Sequence, residues 1–255
     1  MINPKKWQVV ILAAGKSTRM NSKLHKSLVK IQGKNLLTWC TELAKKVCQS
    51  DPIVVVGYEA DKIISRNKNL TVDWLVQNPP GGGTATSLFS ATRNIDQQHL
   101  LVLYVDDAFL YTPENIIDLC REHEQKDNVL TLLTFKSKPL PVGGIISDAN
   151  GRPIDTVDFK QAQEKGLTKL QILCGAIAVD RKWFENNFSQ IKVNHKSERG
   201  LPELINIAYL QKRKVSSHQL EKGSFWQGVN TKRELSRARY LKIKQINNER
   251  IGKQV

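Results

Sequence analysis

Residues 9–26 read Val-Val-Ile-Leu-Ala-Ala-Gly-Lys-Ser-Thr-Arg-Met-Asn-Ser-Lys-Leu-His-Lys. A short apolar run ends in two alanines and a glycine, and Lys16, Arg19 and Lys26 follow at once. The pattern predicts a buried strand whose end turns into a tight loop, gathering backbone N–H groups and cations in one place. Small residues let backbone approach a ligand closely and the cations neutralise it, which suits a triphosphate. Two look-alikes fall away. Gly15-Lys16-Ser17 mimics the end of a P-loop, but that motif needs a glycine where this chain has Val10. The dinucleotide fingerprint G-x-G-x-x-G has no match. A plain basic surface loop is the competing reading of this segment taken alone.

The rest of the composition sets bounds. With 255 residues, 40% of them hydrophobic, the chain is long enough for one large α/β domain with a substantial core. No stretch approaches the length of a membrane span. The run from Trp7 to Ala14 is too short for a secretory segment, lacks a small-residue cleavage site, and is read as the first strand. Cys40, Cys48, Cys120 and Cys174 form no C-x-x-C pair and sit in apolar segments, as buried free thiols of a cytoplasmic protein would. The net charge of +15 has three explanations: nucleic acid, a polyanionic small substrate, or a basic surface without a partner. No helix-turn-helix, zinc-finger or RNA-binding aromatic motif accompanies it, so nucleic acid is not the expected partner.

Along the chain, apolar runs alternate with helical patterns. Strands are predicted at Gln8–Ala13, Ile53–Gly57, Val72–Gln77, Leu100–Val105 and Val129–Phe135. Helices are predicted around Leu36–Val47, Asp61–Arg66, Thr84–Asn94 and Pro113–Glu124. Nearly all-apolar strands alternating with helices predict a parallel sheet covered on both faces, with its ligand at the carboxyl ends of the strands. After Pro139 the pattern shifts to Val142–Ser147, Pro153–Phe159 and Gln171–Val179 as strands of a partly antiparallel extension. Helices at Arg181–Asn187 and Pro202–Gln211 and a strand near Lys214–His218 follow. The segment Thr231–Asn248 reads as a polar, basic helix, a surface or partner-facing arm.

Several strand ends then matter together. The third strand ends at Gln77, ahead of Asn78-Pro79-Pro80-Gly81-Gly82-Gly83-Thr84. A glutamine at a strand tip can both donate to and accept from the edge of a base. The fourth ends Leu103-Tyr104-Val105-Asp106-Asp107, and carboxylates there are natural Mg²⁺ ligands, with Asp106 the ligand and Asp107 the bystander or turn cap. Asn230, in Gln227-Gly228-Val229-Asn230-Thr231, is either a neutral oxygen ligand or a helix N-cap.

L-A-A-G-x-x-T-R-M, followed by S-x-L-x-K-x-L and a later G-K, resembles the nucleotidyltransferases that activate sugar 1-phosphates. The chain is most similar to the pyrophosphorylase domain of bacterial N-acetylglucosamine-1-phosphate uridylyltransferase. Agreement continues through Trp74-Leu75-Val76-Gln77, Gly83-Thr84 and Leu103-Tyr104-x-Asp106 to Gly228-Val229-Asn230, over about residues 7 to 240. The resemblance implies a Rossmann-like, three-layer (GT-A-like) α/β fold with a mostly parallel mixed sheet. Residues 1–230 would form the nucleotidyltransferase domain, with 1–138 the nucleotide-binding half and 139–230 the acceptor-binding half, and 231–255 a basic C-terminal helix. It implies that Leu12, Ala13, Ala14, Gly15, Gln77, Gly83 and Thr84 contact the nucleotide. Arg19 and Lys26 would hold phosphates as the catalytic cations, and Asp106 and Asn230 would hold Mg²⁺. Tyr104, Gly143, Asp158, Leu173 and Trp226 would lie on the acceptor side. The partners would be a nucleoside triphosphate, UTP favoured, and a phosphorylated small-molecule acceptor.

The chain departs from the family pattern mainly on that acceptor side. His25 stands for a proline, Val105 for a glycine, Asp158 for a glutamate, Leu173 for a sugar-binding asparagine and Gly144 for an arginine. A leucine in place of a polar sugar ligand removes hydrogen bonds that such pockets use for discrimination, which argues against N-acetylglucosamine 1-phosphate as the acceptor. With Val255 the last residue, the β-helix acetyltransferase domain of the bifunctional relatives is not expected in this sequence. One alternative is a cytidylyltransferase for phosphocholine or another small phosphoalcohol, since Phe159, Phe225 and Trp226 would offer aromatic faces to a quaternary ammonium. Another is a nucleotide-binding regulatory protein without turnover. The oligomeric state is left open.

Overall fold

The computed structural model describes residues 1–20, 24–137, 144–167 and 170–251. Its first strand, β1 (Trp7–Ala13), is buried at all seven positions. A hairpin of β2 (Lys30–Ile31) and β3 (Lys34–Asn35) leads into α1 (Leu36–Val47). Then come β4 (Ile53–Val56), α2 (Ala60–Ser65), β5 (Asp73–Val76), α3 (Gly83–Thr92), β6 (His99–Tyr104), α4 (Pro113–Gln125) and β7 (Leu130–Ser137). The second half adds β8 (Gly144–Ser147), β9 (Pro153–Val157), α5 (Phe159–Glu164), β10 (Leu170–Asp180), α6 (Arg181–Asn187), α7 (Leu204–Leu210), β11 (Val215–Gln219) and α8 (Lys232–Ile251).

The sheet runs β11-β7-β10-β6-β1-β4-β5. β1 pairs in parallel with β4 and with β6, and β4 with β5. β10 lies antiparallel between β6 and β7, while β11 is parallel to β7. Six of the seven strands on this path therefore share one direction, and the mostly parallel mixed sheet expected from the sequence is what forms. β1 feeds neighbours on both sides, so a crevice opens at its carboxyl end, where sheets of this kind bind ligands.

Alternation along β1 fills two apolar layers. Val9, Ile11 and Ala13 face a core with Leu36, Leu37, Cys40 and Val47 of α1 and Ile116, Leu119 and Cys120 of α4. Val10 and Leu12 face another with Ala85 and Leu88 of α3, Phe184 of α6 and Leu204, Ile205 and Ala208 of α7. Each aliphatic side chain so enclosed contributes about 1.5–3 kcal/mol, which is why a strand this apolar belongs at the centre. The four cysteines are free and buried, as expected.

The capping residues explain the helix starts. Asn35 accepts from the Thr38 amide to open α1, and Thr112 with Asn115 forms a capping box that opens α4 behind Pro113. The same chemistry corrects one expectation. The run Pro153–Phe159 is a strand only to Val157, because Asp158 and Gln161 form a reciprocal capping box and start α5 at Phe159.

The final helix is also more than a surface arm. Ala238, Lys242 and Gln245 are buried against the body. Lys242 Nζ donates to the Phe109 carbonyl at 2.6 Å and lies 4.1 Å from the Trp39 ring centroid, and Gln245 donates to the Leu110 carbonyl at 3.1 Å. No helix among the described residues is long and apolar enough to cross a membrane.

Candidate functional site

A cavity of about 870 Å³ opens at the carboxyl ends of β1 and β6. Leu12, Ala13, Ala14 and Gly15 form one wall, with Arg19, Lys26, Gly83, Thr84, Tyr104, Asp106 and Asn230 around it. Residues far apart in sequence thus meet where the opening loop predicted a phosphate-sized site.

Local chemistry shapes the wall. His25, only 3% exposed, caps the short 3-10 helix Lys26–Leu28, its Nδ1 accepting from the Ser27 amide at 3.3 Å and the Ser27 hydroxyl at 2.9 Å. With Nδ1 the acceptor, Nε2–H is assigned as the donor to the Gly15 carbonyl at 2.6 Å. Burial holds the imidazole pKa down, so the ring is neutral. In this way His25 ties the glycine loop to the segment carrying Lys26. The Lys26 amide also donates to Ser17 Oγ at 3.1 Å.

The polar floor consists of two pairs. Lys26 Nζ donates to Asp106 Oδ2 at 2.7 Å, both side chains being 17% exposed. Arg19 donates to Asn230 Oδ1 at 2.9 Å. The Val229 amide donates to the Asp106 carbonyl at 3.0 Å, a backbone tie that brings Asn230 alongside the strand end. Glu234 accepts from the Asn230 amide at 2.7 Å and its own amide donates to Thr231 Oγ1 at 3.2 Å, so the side chain at the start of α8 that caps it is Thr231, and Asn230 Oδ1 is the acceptor of the Arg19 bond.

Asp107 stands outside the cavity lining, in keeping with its reading as the bystander of the pair, and its side chain makes no cap bond to the turn that follows. It is buried, and accepts from the Gly175 amide at 2.7 Å and from the Trp226 indole N–H at 3.1 Å, with the Tyr111 hydroxyl also in its cluster. Burial first, and the neighbouring Asp106 charge second, push its pKa upward. A Cβ on Gly175 would lie 2.1 Å from Asp107 Oδ1, so that glycine is what admits the carboxyl group to the core.

Four expected contacts lie outside the cavity lining. Gln77 is buried beneath the glycine loop, donating to the Gly81 carbonyl and accepting from the Ser87 hydroxyl at 2.8 Å. Its amide holds the loop rather than reaching for a base. Asp158 is exposed and caps α5. Leu173 packs into an apolar layer, and Trp226 into the other beside Phe135, pinned by Asp107. Gly143 lies outside the described residues.

The far wall is instead a polar loop that the sequence reading passed over, with Asn194, Lys196, Ser197, Glu198, Arg199 and Gly200. It is seated by interlocking backbone bonds: the Arg199 amide donates to the Gly82 carbonyl at 2.8 Å, and the Ala85 amide to the Arg199 carbonyl at 3.0 Å. Thr84 Oγ1 accepts from the Leu201 amide at 2.9 Å. At Gly83, with φ +89°, a Cβ would stand 2.4 Å from the Arg199 carbonyl oxygen, so only glycine permits this approach. The signal available in sequence was the dense polar run 194–200 placed just before Leu201-Pro202.

The cavity carries Lys16, Arg19, Lys26, Lys196 and Arg199 against Asp106 and Glu198, a balance that favours an anion. Among the described residues no cluster of three or more His, Cys, Asp or Glu stands ready to hold a metal by itself. A carboxylate plus a neutral amide oxygen is instead a hard-oxygen set of the kind Mg²⁺ completes with phosphate oxygens and water. The residues present fit that ion.

The family model described as the MobA-like NTP transferase domain matches residues 9–171. A curated relative, the bifunctional protein GlmU of Bacillus mycoides (strain KBAB4), is 30% identical over 240 residues, spanning 93% of this chain and 52% of the relative. GlmU of Lactobacillus gasseri is 30% identical over 244 residues, spanning 94% and 52%. The chain therefore spans about half the length of the curated relatives it matches. Among solved structures, a Bacillus anthracis protein provisionally named a glucose-1-phosphate thymidylyltransferase, in complex with a sucrose, superposes with a TM-score of 0.72 at 18% identity, covering 92% of this chain and 95% of that one. CMP:2-keto-3-deoxy-manno-octonic acid synthetase complexed with CTP gives 0.70 at 14% identity, covering 94% and 99%. At such identities these two likenesses concern the fold.

Proposed function

The chain belongs to the MobA-like NTP transferase family, and from that premise we propose that it is a Mg²⁺-dependent nucleotidyltransferase joining a nucleoside triphosphate, UTP favoured, to a sugar 1-phosphate. The observation that carries this reading is the meeting of Arg19, Lys26, Asp106 and Asn230 at one end of the 870 Å³ cavity. A phosphate oxygen of the acceptor forms a bond to the α-phosphorus as the α–β phosphoanhydride bond breaks, and pyrophosphate leaves with the electron pair. Such a step needs positioning and charge neutralisation more than covalent chemistry.

The roles divide by position. The Ala13-Ala14-Gly15 backbone, tied by His25 through the Gly15 carbonyl, seats the triphosphate. Arg19 and Lys26 exchange their present partners for phosphate oxygens, neutralising charge on the leaving group. Asp106 and Asn230 would hold Mg²⁺, which when bound screens the phosphates and polarises the reacting phosphoryl group. Gly83 and Thr84 support the base side, with Gln77 acting through the loop it holds. Tyr104 and the loop from Asn194 to Gly200 face the acceptor. The aromatic argument for a choline acceptor loses its basis in Trp226, since that indole is committed to Asp107 and the core. Residues 1–138 and 139–230 remain the two functional halves of this reading.

The test is pyrophosphate release measured over a panel of four nucleoside triphosphates and phosphorylated acceptors, with Mg²⁺ and with chelator. Release with a pyrimidine triphosphate and a sugar 1-phosphate, abolished by chelator, is the expected result. Tight nucleotide binding with no release for any pair would identify a regulatory binder and overturn the proposal.

A further inference from the structure

The outward face of α8 has an arrangement that the reaction does not use. Ala238, Lys242 and Gln245 point into the body, and Glu234, the only acidic residue between Lys232 and Asn248, turns inward to the Asn230 amide. At 3.6 residues per turn the remaining positions fall into three rows. Ser236, Tyr240, Ile243 and Asn247 make the central row, and within it Tyr240 is 64% and Ile243 45% exposed. Arg233, Arg237 and Lys244 flank it on one side, Lys232 and Arg239 on the other, all exposed. An aromatic and an aliphatic side chain stand in water, one turn apart, between two rows of cations.

Tyr240 and Ile243 give this cationic face a small apolar centre. We propose that this face of α8 docks peripherally on a membrane surface carrying anionic phospholipid. The exposed cations meet the headgroup phosphates, Arg239 exchanging its bond to the Lys30 carbonyl and Lys244 its place over the Phe225 ring for them. Tyr240 enters the headgroup layer with its hydroxyl at the polar edge, and Ile243 reaches the acyl boundary. Clusters of four to eight Lys and Arg on such a helix are the usual electrostatic signature of anionic-lipid binding. Charge complementarity selects an anionic surface, and the apolar centre separates lipid from a nucleic-acid backbone, which has no use for an isoleucine between the cations. None of the outward residues of α8 lines the cavity, and the helix meets the site through Glu234, which holds the Asn230 amide and stays unchanged in every variant below.

The full chain is tested by co-sedimentation with vesicles of phosphatidylglycerol and phosphatidylcholine, and with vesicles of phosphatidylcholine alone, at about 0.1 M salt. Binding to the anionic vesicles only is expected. Arg233→Gln/Arg237→Gln/Lys244→Gln should weaken partitioning about a hundred-fold, since each basic residue near such a surface contributes roughly fivefold. Tyr240→Ser/Ile243→Ser should weaken it at least tenfold with charge unchanged. A charge-matched control, Lys46→Gln/Lys68→Gln/Lys182→Gln, removes three exposed cations elsewhere and should change partitioning less than threefold. Circular dichroism and pyrophosphate release report that each variant is folded. Three results overturn the proposal: no binding to anionic vesicles, equal loss in the control and helix variants, or undiminished binding by Tyr240→Ser/Ile243→Ser. The last would identify a purely electrostatic partner.

Discussion

At the scale of single residues, the polar floor of the candidate site is tied up in hydrogen bonds of its own, one of them an ion pair. Asp106 carries its charge against Lys26, and Arg19 is spent on Asn230. A triphosphate with its metal would offer the cations and the oxygen ligands stronger partners of opposite sign. Asp106→Asn tests this directly. The amide can still accept from Lys26, so the melting temperature should move little while pyrophosphate release falls by about 10²-fold or more. Retained turnover would remove Asp106 from the metal. Gly83 is the other sensitive point, because a methyl group there meets the Arg199 carbonyl and φ is +89°. Gly83→Ala should cost roughly 2 kcal/mol or more in urea unfolding and displace the loop from Asn194 to Gly200, raising KM for the acceptor. An unchanged unfolding midpoint would show that the loop can yield.

At the scale of elements, α8 is anchored by a buried cation. Lys242 Nζ donates to the Phe109 carbonyl at 2.6 Å and to Gln245 Oε1 at 3.0 Å, against the face of Trp39. Lys242→Ala leaves a buried carbonyl without its donor and should destabilise the protein by about 2–3 kcal/mol, read as a lower urea midpoint at unchanged slope. The elements themselves were largely legible in the sequence. Leu36–Val47 and Arg181–Asn187 begin behind Asn35 and Asp180, whose side chains mark the helix starts, and β1 is too apolar to be anything but central. What was misread depended on bonds at turns. Resemblance to a family glutamate places Asp158 on the acceptor side, whereas the local signal, Asp158-x-x-Gln161, is that of a capping box, and the structure forms it. Gln77 looked like a base reader because its Gly81 and Ser87 partners exist only once the glycine loop folds back.

At the scale of the whole molecule, the cavity wall formed at the ends of β1 and β6 could be read from sequence because its parts sit at strand ends, whose spatial order follows from the alternation of strands and helices. The opposite wall could not. It is built by a loop some hundred residues further on, through backbone bonds between Gly82, Arg199 and Ala85 that no residue type announces. The fold also carries a pH dependence of its own. His123 is enclosed near Trp7 and His99, and burial pushes its pKa down to about 3. The unfolded chain binds a proton near pH 6.5 that the folded chain refuses, so this histidine costs stability progressively as pH falls below 6.5. Asp107, its folded pKa raised, titrates with the opposite slope, and a comparison of variants separates the two. Between pH 7 and pH 5 the stability of the wild type should fall by about 2 kcal/mol relative to His123→Gln. Parallel stability curves for the two proteins would show that the imidazole is protonated in the fold.

The measurement closest to the central claim is pyrophosphate release by the wild type with UTP, a sugar 1-phosphate and Mg²⁺, run beside Asp106→Asn. The account predicts release that requires both substrates and the metal and is lost in the variant while nucleotide binding persists. Release by the variant at the wild-type rate, or binding without release across every nucleotide and acceptor in the panel, would contradict it.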